Sequence, residues 1–135
     1  MRDEPRVFTL QQANRLLPEV RELVGRIVEL VQFLPELEEQ DRIARYQAAR
    51  AGAGAREKEA VASAGLALEG AQLELAKAAL GLQELGLMLK DPQLGLVDFP
   101  ALREGELVEL CWKLGEEQVS HWHRVGEGFA GRKPL

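Results

Sequence analysis

The apolar positions of this chain change period once, and that change divides it in two. From residue 8 to about residue 85 they recur at helical spacing. Leu10, Leu17, Val24 and Val31 form one row seven residues apart, Ala13, Val20, Ile27 and Leu34 a second, and Leu16, Leu23, Leu30 and Leu37 a third. Three such rows predict a wide buried stripe on one long helix. Its start is written in Phe8-Thr9-Leu10-Gln11-Gln12: Thr9 caps, Gln12 completes a capping box, and Phe8 staples onto Ala13. Pro18 leaves the Asn14 carbonyl without its usual partner, which predicts a bend; Pro35 predicts a kink or a restart.

Residues 47–55, QAARAGAGA, carry no apolar period and read as a glycine-alanine hinge. A second helix follows from about Arg56 to Leu85. Val61, Leu68, Leu75 and Leu82, with Ala64, Ala71, Ala78 and Leu85, make a seam for the first helix. Leu66, Leu73 and Leu80 make another row, about 140° away around the axis. One helix partner does not cover two separated stripes, so the second needs the sheet, another protomer, or both. Gly86 ends the helix, with Leu87 placed to touch Leu82 as in a Schellman cap.

Beyond Gly86 the pattern alternates. Leu87–Lys90, Leu96–Arg103, Glu106–Leu114 and Gln118–Val125 read as strands, divided by the Asp91-Pro92 turn, Glu104-Gly105 and Gly115-Glu116-Glu117. A two-residue hairpin at Glu104-Gly105 sets Arg103 opposite Glu106, hence Asp98 opposite Cys111, Phe99 opposite Leu110 and Val97 opposite Trp112. A three-residue loop at 115–117 sets Cys111 opposite His121 and Glu109 opposite His123. Both registers sort the faces alike. Val97, Phe99, Ala101, Val108, Leu110, Trp112 and Trp122 share the face toward the helices; Asp98, Glu109, Cys111, Lys113, His121 and His123 share the polar one. A slip of one residue would exchange these faces. Pro100 requires an edge strand or an outward-pointing nitrogen.

The expected architecture is therefore α+β: a long antiparallel two-helix hairpin (8–85, hinge near 47–55) followed by a small antiparallel sheet of three to four strands and a tail (86–135), all in one domain. Helices of about 37 and 30 residues would extend roughly 55 and 45 Å. The uncovered leucine row predicts a homodimer through the helices.

Composition narrows the chemistry. Leu takes 23 positions, yet the chain holds two Ser, one Thr, one Asn, one Cys and one Tyr, so serine-type catalysis has almost no candidates. One cysteine excludes an internal disulfide and every Cys₄ or Cys₂His₂ zinc site, and suits a reducing cytoplasm. A net charge of −5, with scattered bases, gives no nucleic-acid footprint. No apolar run approaches the roughly 18 residues of a membrane span, and MRDEPRVFTL lacks the apolar core of a signal peptide. Abundant Arg, Glu and Leu with little Asn, Met or Cys fits a thermophilic or GC-rich source.

His121-Trp122-His123 carries the sharpest chemical signal. Alternate strand residues point the same way, about 6.5–7 Å apart, so both imidazoles can reach one ion. With Asp98, Glu109 or Cys111 as further ligands, the set suits zinc or another divalent transition metal. The plainer reading is two histidines on a polar face, bonded to carboxylates and water. Cys111 reads first as a small buried residue, or as a reactive thiol helped by the histidine opposite it. Glu116 and Glu117 read as a solvated turn. The tail Gly126-Glu127-Gly128-Phe129-Ala130-Gly131 matches G-x-G-x-x-G, but no βαβ unit can follow it. Its glycines instead predict a tight turn laying Phe129 into an apolar groove, with Arg132 and Lys133 meeting an anion or an acidic partner.

The opening FTLQQANRLLPEVREL and the stretches LKDPQLGLVDFP, ELCWKLGE, HWH and GFAGRKPL resemble the bacterial domain of unknown function 2203 family over nearly the whole chain. The resemblance implies a small cytosolic protein and carries no reaction, substrate or cofactor. It emphasises the positions of Asp98, Pro100, Cys111, Trp112, Gly115, Glu116, Trp122, His123, Gly128 and Arg132; His121 is less characteristic than His123.

Three functions remain in order. The first is a non-catalytic module binding a small anionic ligand or a protein partner through Asp98, Glu109, Cys111, His123 and Arg132, with no cofactor required. The second is a metal-dependent enzyme in which His121, His123 and Asp98 or Glu109 hold the ion, with Glu109 as a possible base. The third is a thiol redox sensor at Cys111.

Overall fold

A computed structural model describes residues 6–135. Residues 1–5 of the MRDEPRVFTL stretch, read as lacking a signal-peptide core, lie outside them. Helix α1 spans Leu10–Ala48 and α2 Ala55–Glu84, 39 and 30 residues long. The Thr9 hydroxyl accepts from Gln12 N–H at 3.1 Å while the Gln12 side chain accepts from Thr9 N–H at 2.9 Å, the reciprocal box expected. Pro35 does not restart the helix; α1 runs unbroken through both Pro18 and Pro35. At the far end of α2, Leu87 N–H reaches the Leu82 carbonyl and Gly86 N–H the Gln83 carbonyl, with Gly86 at φ 88°, so the Schellman cap forms.

The sheet has five antiparallel strands in chain order: β1 Met88–Asp91, β2 Leu96–Arg103, β3 Glu106–Lys113, β4 His121–Arg124 and β5 Lys133–Pro134. Every predicted pairing of β2 with β3, and both predicted pairings of β3 with β4, are present. Glu104 and Gly105 both take positive φ, 53° and 80°, the two-residue turn whose twist matches its strands. The sheet exceeds the three to four strands expected by β5, a two-residue strand in the tail that pairs with β4.

The last long strand is shorter than predicted. Residues 114–120 leave the ladder because their polar groups bond elsewhere. Val119 N–H donates to Asn14 Oδ1 at 2.7 Å, Arg21 donates to the Glu117 carbonyl at 2.9 Å, and Leu114 N–H to the Gly95 carbonyl at 2.9 Å. That loop is thereby tied to α1. Pro100 finds its place because β1 pairs only with residues 96–98 of β2. Past that point β2 is an edge, and the Pro100 carbonyl accepts from Phe8 N–H at 2.7 Å.

One core joins the layers. Val97, Phe99, Ala101, Val108, Leu110, Trp112 and Trp122 from the sheet pack with Phe8, Ala13, Leu17, Val20, Val24 and Ile27 of the first helical segment, and with Ala78 and Leu82 of α2. Phe8 meets Phe99 edge-on, centroids 5.6 Å apart. Among the described residues, no helix is long and apolar enough to cross a membrane.

Candidate metal centre under the tail

The polar residues alternate with this core set, so β-strand geometry sends them to the opposite face. Asp98 stands on β2, Cys111 directly opposite it on β3, and His123 on β4 opposite Glu109. That face is not solvated. Asp98 is 1 % exposed, His123 1 %, Cys111 0 % and Glu109 7 %. The cover is the tail, which Gly126 (φ 91°) and Gly128 (φ 72°) turn back over the sheet before a single 3-10 turn at Phe129–Gly131 and strand β5. A cavity of about 180 Å³ remains, walled by Asp98, Glu109 and His123 below and by Gly126, Gly128 and Phe129 of the tail. Phe129 does not enter an apolar groove as expected. It is 39 % exposed and lies 4.8 Å under the Arg132 guanidinium, at the edge of a polar cavity.

His123 is held at both ring nitrogens by acceptors. Nδ1 lies 2.8 Å from the Arg124 carbonyl, with Glu109 Oε1 at 3.7 Å, and Nε2 lies 3.1 Å from Asp98 Oδ1. A neutral imidazole carries one N–H. Placed on Nδ1, toward the carbonyl, it leaves the Nε2 lone pair facing a carboxylate oxygen, and a cation must stand between them, either a proton or a metal ion. A proton would serve that pair alone. It would leave Asp98 Oδ2 buried, with no donor near it but the Cys111 thiol, a weak one. Cys111 completes a trio: Asp98, Cys111 and His123 offer ligand atoms all within 4.8 Å of one another, and among the described residues no other such group occurs. Burial, and then the Asp98 charge, push the Cys111 thiol up to about 12. That environment keeps the thiol protonated without a metal and gives the sensor reading no support.

The other predicted residues sit around this trio. His121 is half-buried, with Nδ1 3.1 Å from Ser120 Oγ, and stands outside the cluster. Glu109 Oε2 is 4.0 Å from Lys90 Nζ at the cavity wall. Arg132 turns inward: its Nη2 donates to Glu116 at 2.9 Å and lies 3.5 Å from the Cys111 carbonyl, while its Nε is buried without a partner. Lys133 pairs with Glu127 at 3.1 Å.

Glu116 was expected in a solvated turn and is instead the clasp of the tail. Its carboxylate accepts from Arg132 and from Lys113 N–H at 2.9 Å, and its carbonyl accepts from Trp112 Nε1 at 3.1 Å. Burial opposes its ionisation, but the hydrogen bonds from Arg132 and Lys113, and the Arg132 charge, outweigh it and hold the carboxyl below its ordinary value. A Gly-Glu-Glu turn looks solvated in isolation. The signal lay 16 residues on, in Arg132.

A helical hairpin bearing a five-stranded antiparallel sheet, with a closed polar cluster under its tail, defines a small α+β protein whose buried polar side chains, Asp98, Glu109 and His123, gather on one sheet face. The chain belongs to the family described as uncharacterized conserved protein (DUF2203), whose model matches residues 6–135. No curated protein and no solved structure matches it.

Proposed function

We propose that this protein is a metal-dependent binding module whose ligand-recognising element is one divalent transition-metal ion held by Asp98, Cys111 and His123. The observation that carries this reading is the buried trio itself: Asp98 Oδ2, with only the Cys111 thiol beside it as a donor, next to a histidine nitrogen. A tetrahedral ion with bonds of 2.0–2.3 Å sets its ligand atoms roughly 3.3–3.8 Å apart, so a small contraction of the trio would accommodate it. His123 already has the outer partner that a ligating imidazole needs, in the Arg124 carbonyl. One thiolate, one imidazole and one carboxylate form a borderline-soft set suited to zinc. Binding would ionise Cys111, because a coordinated thiol loses its proton despite burial.

Three protein ligands would leave a fourth position, and two of the three, Asp98 and His123, line the cavity. Its small volume suits water or a small anion, with Glu109 and Lys90 at the wall. Arg132 is paired internally, so an anionic ligand here would be recognised by the ion rather than by that guanidinium. The test is titration of the untagged, metal-stripped full chain with Co²⁺ and Zn²⁺. One equivalent should bind, giving thiolate-to-cobalt charge-transfer absorption that Cys111→Ser removes and His123→Ala weakens. Absence of binding at micromolar metal would leave the cluster a buried proton-bridged pair and end this reading.

A further inference from the structure

The second leucine row of α2 is open to solvent. Leu66 is 70 % exposed, Leu73 57 % and Leu80 52 %, so neither the sheet nor α1 covers it. Gly70 and Ala76 lie exposed between these leucines, and Glu69 and Lys77 flank them. We infer that a second copy of this chain covers the row, in an antiparallel pairing of α2 with α2 whose two-fold axis passes at Leu73.

The argument is the symmetry of the residues themselves. An antiparallel pair centred on position 73 matches each residue with the one equally far on the other side. Leu66 then meets Leu80 of the second copy, Glu69 meets Lys77, Gly70 meets Ala76, and Leu73 meets itself. Apolar faces apolar, acid faces base, and the two small residues allow the helix axes to approach. A two-fold contact demands self-complementarity of this kind, and each pairing off the axis recurs twice. The parallel alternative sets Glu69 against Glu69 and Lys77 against Lys77, which repel. Glu74, next to the axis, is already neutralised by Arg26 at 2.7 Å within the chain. A lipid surface fits less well, because the row is bordered by Glu69, Glu74 and Glu84 against Lys77 alone, and an interfacial helix needs a basic border.

The pairing is independent of the metal cluster, so either can fail alone. Sedimentation of the full chain at micromolar concentration should give twice the 15.0 kDa monomer mass. Leu73→Glu, which sets two carboxylates together at the axis, should give a monomer with unchanged circular dichroism. Glu69→Lys or Lys77→Glu alone should raise the dimer dissociation constant roughly tenfold, and the double exchange should restore it. A monomeric wild-type chain, or a dimer indifferent to Leu73→Glu, would overturn the proposal. A double exchange no better than the single ones would overturn the antiparallel register.

Discussion

The two ends of the helical hairpin carry the same apolar period and meet different fates. Near the sheet, α1 buries Ala13, Leu17, Val20, Val24, Ile27 and Leu30, and α2 buries Ala71, Ala78 and Leu82. Beyond Leu30, α1 buries only Ala44, and α2 buries nothing before Ala71. Leu34, Leu37, Val61 and Leu68 continue the seam yet stay half-buried. The difference lies in the number of layers. A helix pair alone shields one stripe from one side, whereas the sheet adds a third layer that covers that stripe from a second side.

That contrast can be broken by substitution. Phe99→Ala, at a fully buried ring stacked edge-on against Phe8, should cost about 3–5 kcal/mol of unfolding free energy by denaturant titration. Leu37→Ala on the distal seam should cost about 1 kcal/mol at concentrations where the chain is monomeric, because its side chain keeps much of its contact with water. Equal costs would mean that the distal end is covered.

A smaller effect sharpens how the third layer is fastened. Asn14→Ala removes the acceptor for Val119 N–H and leaves a part-buried donor unpaired, a loss of about 1–3 kcal/mol. Amide exchange at Val119 should accelerate while exchange in the distal hairpin stays unchanged.

The smallest concerns the tail. Glu116→Gln keeps the shape but loses the charge-assisted bond to Arg132, costing about 1 kcal/mol near neutral pH. The sign with pH follows from the depressed carboxyl. Its contribution is present above the ordinary carboxylate value and is lost as pH falls through the lowered folded-state value. The gap between wild type and variant should therefore shrink as pH falls below the ordinary carboxylate range, and a gap that widened there would refute the clasp.

Much of this was legible in the residues. Thr9 and Gln12 announce the start of α1, and Gly86 the end of α2, because caps are local chemistry. Glu104-Gly105 fixes the β2–β3 register because a two-residue turn permits one pairing, and every other pairing follows by counting. The same counting placed Asp98 beside Cys111 and His123 beside Glu109. The start of β4 was not legible, since Asn14 and Arg21, about a hundred residues away, claim backbone groups of the residues just before it. Glu116 was misread for the same reason, its partner Arg132 being distant in sequence.

What the sequence determined by itself is the sorting: which residues share a face and which stand opposite one another. Alternation along a strand and seven-residue rows along a helix are properties of the backbone, so they need no knowledge of the rest of the molecule. What only the tertiary structure decided is which of those faces is covered. Periodicity names a face without naming its neighbour. The polar side of the sheet, alike in pattern to any solvated surface, became a closed cluster because a glycine-turned tail folds over it, while the leucine row of α2, alike in pattern to a core, was left open because no layer of this chain reaches it.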